Sequence, residues 1–221
     1  MADTFLTSQQ QGFLDFFRKQ PSLIDLFYFT GGTCLSEYYL HHRFSEDLDF
    51  FSEKEIDPQS ITAILTKHKL ELGYFRMDFQ QSLNRNLFFL KYDKNKLLKI
   101  EFTYFPFTRI DDSQFKNKIA IDSLKDISVN KIFTIYQKPR GRDFYDLYAI
   151  NRKFPFDFNE LLKLARIKFD THIDPLQLGR NIMQVNLLHD DPLVIGQVYD
   201  YKEVIYYFSN LALSLKNRVL D

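Results

Sequence analysis

The sequence predicts an α+β protein, with strands concentrated in the N-terminal part and helices in the C-terminal part. Short apolar runs rich in aromatic residues, broken by glycine or polar turns, occupy residues 26–29, 47–52 and 74–105, as expected for strands. From residue 123 onward, apolar side chains recur at helical spacing. Apolar residues make up 45% of the 221 positions and aromatic residues 17%, so the chain can bury a sizeable core.

The first half of the chain begins with an amphipathic pattern. Residues 7–20 predict a helix with an apolar stripe of phenylalanine and leucine, and Pro21 ends it. Residues 58–72 predict another helix, which Gly73 closes. An antiparallel meander of three strands and one further short strand are predicted over residues 74–80, 86–92, 97–105 and 119–121.

The second half of the chain is predicted to be helical. Helices are predicted over residues 123–137, from 142 onward, and over 158–169, 176–188 and 198–219. We therefore expect two domains, residues 1–122 with the strands and residues 123–221 with the helices.

A strand, a glycine turn, a short helix and a second strand are predicted between residues 27 and 52. Gly31-Gly32 ends the first strand, and glycine lets backbone N–H groups approach a phosphate closely. Thr33 follows where the helix would begin, either as its N-cap or as a hydroxyl ligand of a bound anion. The turn is therefore a candidate phosphate-binding site.

Two acidic residues stand two positions apart on the second of these strands. Asp47 and Asp49 would point to one face, while Leu48 and Phe50 would point to the opposite, buried face. Two carboxylates so close repel each other unless a cation lies between them, and Mg²⁺ is commonly held by one or two carboxylates plus substrate phosphates. The pair is a candidate metal–nucleotide site, and the alternative is a solvated acidic strand edge.

The residues between Gly31 and Phe51 occur in a combination that resembles one family. Gly-Gly-Thr-x-Leu is followed by His-x-Arg-x-Ser-x-Asp-Leu-Asp-Phe-Phe. This pattern resembles the AbiEii/AbiGii toxin family of nucleotidyltransferases. The resemblance implies the polymerase-beta-like nucleotidyltransferase fold, in which a catalytic lobe with a mixed sheet is followed by an α-helical lobe.

The resemblance also implies roles for residues of this segment. Asp47 and Asp49 would hold divalent metal and act in catalysis, and the glycine turn would grip a triphosphate. The residues between turn and acids would support the loop or contact the nucleotide. The nucleotide-binding residues implied here are Gly31, Gly32, Thr33, Arg43 and Ser45.

Glu101 is the third candidate acid. It lies between apolar neighbours on the predicted strand 97–105, where a charge is costly unless it has a partner. By resemblance to the fold, it would be a catalytic acid and metal ligand beside the Asp47–Asp49 strand, although relatives often have Asp at this place. The alternative is an exposed strand glutamate.

A second region resembles the same family. Its pattern of a lysine, a gap and then Arg-Asp-x-x-Asp-Leu-Tyr appears as Lys131 followed by residues 142–148. The resemblance implies that Lys131 binds phosphates of the nucleotide or neutralises charge at the transferring phosphorus. Asp143 and Asp146, three residues apart on a helix, share a face and are implied in nucleotide binding. An ion pair of Arg142 and Asp143 at a helix start is the alternative.

The function implied by the resemblance is transfer of a nucleoside monophosphate from a nucleoside triphosphate, with two Mg²⁺ ions and release of pyrophosphate. The implied acceptor is an RNA, such as a tRNA-like end, or a protein hydroxyl. A cognate antitoxin is implied as partner, in a toxin–antitoxin or phage-defence pair. Two alternatives are a catalytically silent nucleotide-binding protein acting through a partner, and a metal-dependent phosphohydrolase. The five histidines form no clear ligand set for the latter.

Charge and cysteine content limit other functions. Lys and Arg total 29 and Asp and Glu total 29, so no net charge draws the protein to nucleic acid, and RNA contact would need a local patch. The single cysteine, Cys34, excludes an internal disulfide and a cysteine zinc cluster. The polar first 11 residues and the absence of an apolar run of about 18 residues predict a cytoplasmic protein without membrane contact.

Overall fold

The structure is a computed structural model and describes residues 4–190 and 200–216. Within these residues it contains one seven-stranded mixed sheet and ten α-helices, which confirms the predicted α+β class. The described chain divides into two compact units. The first comprises the residues up to Glu37 together with Ser45–Thr108 and Asp112–Ser123, and the second comprises Tyr38–Phe44, Arg109–Asp111 and the residues from Leu124 on.

The compact units differ from the predicted domains in two short segments and at Ser123, which was expected in the second domain but belongs to the first unit. Residues 38–44 and 109–111 were expected in the first domain but belong to the second unit. The assignment of catalysis to residues 1–122 and of a helical domain to residues 123–221 stays a prediction.

The sheet lies entirely in the first unit. Its strands are β1 (Tyr28–Thr30), β2 (Leu48–Ser52), β3 (Arg76–Ser82), β4 (Arg85–Lys91), β5 (Leu97–Tyr104), β6 (Gln114–Lys116) and β7 (Ile119–Ile121). They follow the order β3-β4-β5-β2-β1-β7-β6. The β2–β5 and β1–β7 pairs are parallel and the others antiparallel, so the predicted antiparallel meander of β3, β4 and β5 is confirmed.

One face of the sheet forms the core of the first unit. Leu48 and Phe50 of β2 are fully buried, as their alternation with the acids predicts. The ring of Phe50 stacks on Phe17 at 4.3 Å between centroids and on Phe102 of β5 at 5.3 Å. Odd-numbered residues of β2 and β5, including Asp49, Lys99 and Glu101, therefore lie on the opposite face, which we call the polar face.

The helices of the first unit differ from prediction at their ends. They are α1 (Ser8–Phe17), α2 (Pro21–Ile24), α3 (Gly31–Leu35), α4 (Pro58–Lys67) and α5 (Lys69–Leu72). Pro21 does not simply end a helix but begins α2, since proline fits the first helical position. The helix predicted over residues 58–72 is broken at His68, and Gly73 closes α5 with a left-handed φ of 73°.

The strands also differ from prediction in places. β3 lies two residues later than predicted, and β6 was not predicted because its three residues are all exposed. β6 and β7 form a hairpin whose turn residues, Asn117 and Lys118, both have positive φ, as tight hairpin turns require.

The second unit is helical, as predicted. It contains α6 (Leu124–Gln137), α7 (Gly141–Lys153), α8 (Phe158–Lys168), α9 (Pro175–Ile182), a 3₁₀ helix (Met183–Asp190) and α10 (Tyr201–Lys216). The helix predicted over residues 176–188 is thus α-helical only to Ile182. The helix predicted over residues 198–219 is seen in α10, and its two ends lie outside the described residues. None of the described helices is long and apolar enough to cross a membrane.

Candidate functional site

The glycine turn connects β1 directly to α3. Gly31 has φ of 77°, a left-handed conformation that glycine adopts without steric cost. The helix begins at Gly31, and Thr30 occupies the N-cap position. Of the two alternatives for Thr33, the N-cap is therefore wrong, and the role of its hydroxyl as ligand of a bound anion stays a prediction. The buried Thr33 hydroxyl instead donates a hydrogen bond to the carbonyl oxygen of Asp47, which ties the turn to the acidic segment.

Strand pairing brings Asp49 to this turn. β1 and β2 pair antiparallel with Thr30 opposite Asp49, so the residue that follows Thr30 lies beside the carboxylate. A Cβ atom added to Gly31 would clash with Oδ2 of Asp49 and would lie 3.0 Å from its Cγ. Glycine is thus required at position 31 both by its φ and by the space that the Asp49 carboxylate takes.

Asp47 lies one residue before β2 and is bound by a lysine. Nζ of Lys99 on β5 is 2.5 Å from Oδ2 of Asp47. The two side chains are 26% and 32% exposed, respectively, so water reaches both. The parallel register of β2 with β5, in which Leu48 is opposite Ile100, places Lys99 beside Asp47.

Glu101 lies opposite Asp49 on the neighbouring strand. Its side chain is only 7% exposed, so the alternative of an exposed strand glutamate is wrong. Arg85 of β4 donates to both carboxylate oxygens at 2.6 Å, and the Thr103 hydroxyl donates to Oε1 at 2.8 Å. Burial raises the pKa of Glu101, but the hydrogen bonds and charge of Arg85 outweigh it, and the pKa lies below its usual range.

The predicted metal ligands have suitable chemistry but do not surround one point. Within residues 4–190 and 200–216, no group of three or more His, Cys, Asp or Glu side chains is arranged to hold a metal ion. Glu101 is turned to Arg85, and Asp47 to Lys99. Carboxylate oxygens are nevertheless the donors that Mg²⁺ prefers, and Asp47 already binds a cation, the lysine ammonium. The residues fit a divalent cation, and their role as its ligands stays a prediction.

Sequence reasoning missed a further acid on the polar face. Asp122 follows β7 directly and is fully buried, and Thr30 donates a hydrogen bond of 2.7 Å to its Oδ2. Burial raises the pKa of the Cys34 thiol well above its usual range, and the negative charges of Asp122 and Asp49 add to this effect. Cys34 is therefore a buried, protonated thiol. The position of Asp122 at the end of an apolar strand, like that of Asp47 at the start of one, was the signal that could have identified it.

In the second unit, the Asp146 carboxylate of α7 is contacted by Arg43, His42 and Lys131. Arg43 donates from Nε to Oδ1 of Asp146 at 2.6 Å and from Nη2 to Oδ2 at 2.8 Å. Nε2 of His42 lies 2.7 Å from Oδ1, and Nζ of Lys131 lies 2.6 Å from Oδ2. Arg43, His42 and Asp146 are all at most 2% exposed. A segment between α3 and β2 is thereby attached to α7 by buried, charge-assisted hydrogen bonds.

Lys131 of α6 also contacts Asp143. Its Nζ lies 3.1 Å from Oδ1 of Asp143, so Asp143 and Asp146 share one face of α7, as predicted. Arg140 completes the cluster, with Nε 2.7 Å from Oδ2 of Asp143. The helix-start ion pair of Asp143 is therefore made with Arg140. Roles of Lys131, Asp143 and Asp146 in nucleotide binding stay predictions.

Burial and charge oppose each other in this cluster. Burial raises the pKa of Asp146, but Arg43 and Lys131 lower it much further, so the pKa lies well below its usual range. The pKa of Asp143 is lowered too, because Lys131 and Arg140 outweigh its burial. Burial lowers the pKa of His42 below its usual value despite the adjacent Asp146 carboxylate, so the buried imidazole favours the neutral form.

Ser45 contributes through its backbone. Nε2 of Gln10, a buried residue of α1, donates to the carbonyl oxygens of Ser45 and Glu46 at 2.9 and 3.1 Å. These two hydrogen bonds from Gln10 hold the backbone immediately before Asp47 in place. Contact of Ser45 with a nucleotide stays a prediction.

Comparison with known proteins identifies the family. The family described as "Nucleotidyl transferase AbiEii toxin, Type IV TA system" matches residues 15–193. The chain belongs to the AbiEii nucleotidyltransferase toxin family. This confirms the family predicted from the two motifs, and with it the transferase class.

Individual relatives agree with this assignment. An uncharacterised protein of Aquifex aeolicus, aq_aa25, is 37% identical over 145 residues, which are 65% of this chain and 66% of that protein. A crystal structure of a candidate nucleotidyltransferase from H. pylori matches with a TM-score of 0.63 at 19% identity, over 96% of this chain and 97% of that one. JHP933 from Helicobacter pylori matches with a TM-score of 0.58 at 19% identity, over 96% and 94%. The last two similarities concern the fold alone.

Replacing Gly31 should disrupt the turn of this AbiEii-family protein. Gly31→Ala would place a side chain at positive φ, which costs about 1–2 kcal/mol, and would also push the Asp49 carboxylate away. We expect the free energy of unfolding, measured with urea, to fall by at least this amount. Gly12→Ala is the control: Gly12 lies inside α1 with open space around it, and alanine there should stabilise by about 0.5–1 kcal/mol. Equal stability of Gly31→Ala and wild type would contradict the proposed constraint.

Replacing Arg43 should destabilise the second unit. Arg43→Met removes the guanidinium from a fully buried Asp146, and breaking a buried ion pair costs about 3–5 kcal/mol. Arg18→Met is the control for loss of one arginine, because Arg18 and its partner Asp15 are 36% and 38% exposed, so their ion pair should contribute at most about 1 kcal/mol. Urea unfolding of both variants measures the difference. Similar losses of unfolding free energy in the two variants would mean that the buried ion pair of Arg43 with Asp146 stabilises the fold no more than an exposed pair does.

His42 should make stability depend on pH. Its pKa is lower in the folded protein than in the unfolded chain, so the stability it contributes is complete above the unfolded value of about 6.5 and is lost as pH falls through the folded value. Urea unfolding at about pH 7 and about pH 5 should show lower stability at the acid value, and His42→Gln should reduce this difference. His172→Gln, at an exposed histidine, should leave the difference unchanged. An unchanged difference in His42→Gln would refute the assignment.

Proposed function

We propose that the protein is a Mg²⁺-dependent nucleotidyltransferase that moves a nucleoside monophosphate from a nucleoside triphosphate to an RNA or protein hydroxyl, and that it is the toxin of a toxin–antitoxin or phage-defence pair. The observation that carries the proposal is the juxtaposition of the glycine turn with Asp49. A candidate phosphate-binding turn and a candidate metal acid meet at one end of β1 and β2.

Each group in the first unit has a task in this reaction. The turn Gly31-Gly32-Thr33 would present backbone N–H groups to the phosphates. Asp47 and Asp49, with Glu101 on the next strand, would hold the divalent cation. Bound Mg²⁺ would neutralise negative charge on the triphosphate. The acceptor hydroxyl attacks the α-phosphorus, the bond to the bridging β-phosphate oxygen breaks, and pyrophosphate leaves.

The proposed tasks in the second unit are electrostatic. Lys131 would bind phosphates or neutralise charge at the transferring phosphorus, which requires that its ammonium exchange a contact with Asp143 or Asp146 for one with the nucleotide. Asp143 and Asp146 would keep that ammonium in place, and Arg43 would hold the Asp146 carboxylate. Ser45 would support the segment before the acids through the contact of its backbone with Gln10.

The test is transfer of label from nucleoside triphosphates radiolabelled at the α-phosphate. Purified protein, Mg²⁺, each triphosphate in turn and total cellular RNA should yield labelled RNA or labelled protein. Asp49→Asn should reduce labelling by more than about 100-fold, because loss of a metal carboxylate removes several kcal/mol of transition-state stabilisation. Asp78→Asn is the control, since Asp78 lies on β3 at the edge of the sheet, where its carboxylate pairs with Arg76 and Lys91.

The outcome also separates the proposal from its alternatives. Triphosphate binding in a calorimeter without any transfer would favour a silent nucleotide-binding protein, and release of inorganic phosphate would favour a phosphohydrolase. Labelling that persists in Asp49→Asn would contradict the assignment of the acids.

A further inference from the structure

The Lys99 ammonium lies against a carboxylate that the proposed function assigns to the metal. Nζ of Lys99 is 2.5 Å from Oδ2 of Asp47. The register of β5 with β2 places the lysine there, so the contact follows from strand pairing. A divalent cation bound to Asp47 would have to share this carboxylate with a positive charge about 3 Å away or less, which Coulomb repulsion disfavours.

The ion pair of Lys99 with Asp47 can exchange the ammonium for another cation at little cost. The described contact joins one lysine donor to one carboxylate oxygen, and both side chains are about a quarter to a third exposed. Partly exposed ion pairs of this kind contribute little to stability, so a stronger cation can replace the ammonium at little cost. Lysine has a flexible four-carbon stem, and its displaced ammonium would move into water while its backbone stays in β5.

We infer that Lys99 is a resident counter-cation that occupies Asp47 and must be displaced by the divalent cation, and that it thereby sets the metal affinity of the site. Lys99 is a positioning residue under this inference, not a catalytic one. The inference rests on the proposed function, because it takes Asp47 as a metal ligand. It concerns the affinity for metal without nucleotide, which can be measured without activity.

The first test is titration with Mn²⁺ in the absence of nucleotide, followed by the electron paramagnetic resonance signal of free Mn²⁺. Lys99→Met should bind Mn²⁺ up to about fivefold more tightly than wild type, since a competing pair worth about 1 kcal/mol corresponds to that factor. Lys99→Arg, which keeps the charge, should stay within about twofold of wild type.

Lys91→Met is the matched control for loss of one lysine. Lys91 is also on the polar face of the sheet, is 37% exposed and pairs with a carboxylate, Asp78, at 2.9 Å, but Asp78 has no proposed role in metal binding. Its removal should change the Mn²⁺ affinity by less than about twofold, because an exposed charge that does not touch a ligand is screened by water and salt.

The second test uses wild-type protein and needs no variant to fold. Brief acetylation with acetic anhydride, followed by peptide mass spectrometry, reports how accessible each lysine is. Saturating Mg²⁺ should raise acetylation of Lys99 at least about twofold relative to Lys91, because an ammonium released from the Asp47 carboxylate moves into water, where the reagent reaches it.

The outcomes distinguish this inference from the proposed function. Mn²⁺ bound equally by wild type and Lys99→Met, or acetylation of Lys99 unaffected by Mg²⁺, would overturn the role of Lys99 and leave the proposed function standing. Absence of Mn²⁺ binding in both proteins would overturn the metal site, and the inference with it. Tighter binding in Lys99→Met but not in Lys91→Met, with increased acetylation of Lys99, would support both.

Discussion

The candidate site depends on the position of β2 between β1 and β5. Its antiparallel register with β1 sets Asp49 opposite Thr30, next to the glycine turn, and its parallel register with β5 sets the same residue opposite Glu101. A slip of one residue on either side would turn the acids into the core and Leu48 or Phe50 out of it. The fully buried Phe50, stacked between Phe17 and Phe102, makes such a slip costly. Apolar packing on the buried face of β2 thus determines where Asp49 lies on the polar face.

Buried carboxylates impose a second constraint, because a charge removed from water needs compensation. The chain supplies it from its own cations. Arg85 neutralises Glu101 in the first unit, and Arg43 with Lys131 neutralises Asp146 in the second. Their effect is seen in the pKa values of Glu101 and Asp146, which lie below the usual range although burial alone would raise them. These acids therefore remain ionised at neutral pH.

The sequence predicts those features that depend on neighbours in the chain. Alternation around Asp49 predicts the buried and polar faces of β2, and Gly31 predicts a turn that no other residue would fit. The partners of the acids depend on distant pairing and were not predictable by spacing: Arg43 reaches Asp146 across 103 positions, and Lys99 reaches Asp47 across 52. The N-cap alternative for Thr33 was wrong because an N-cap and a hydroxyl that bonds a distant carbonyl give the same local pattern.

Exposure divides the charged residues of the two motifs into different physical classes. Asp146 is enclosed by Arg43, His42 and Lys131, and removing either of the two cations would leave its buried charge less compensated, without water to replace the lost partner. Asp47 has water access, and its recorded ion pair is a single lysine contact, so exchange of one cation for another costs little there. A carboxylate that must take up and release a cation in each reaction cycle needs access to water, as Asp47 has. A carboxylate that keeps a segment attached to a helix needs enclosure by its cations, as Asp146 has. Asp47 therefore has the exposure that its proposed role as a metal ligand requires, whereas Asp146 has the enclosure expected of a carboxylate that stays paired with Arg43 and Lys131.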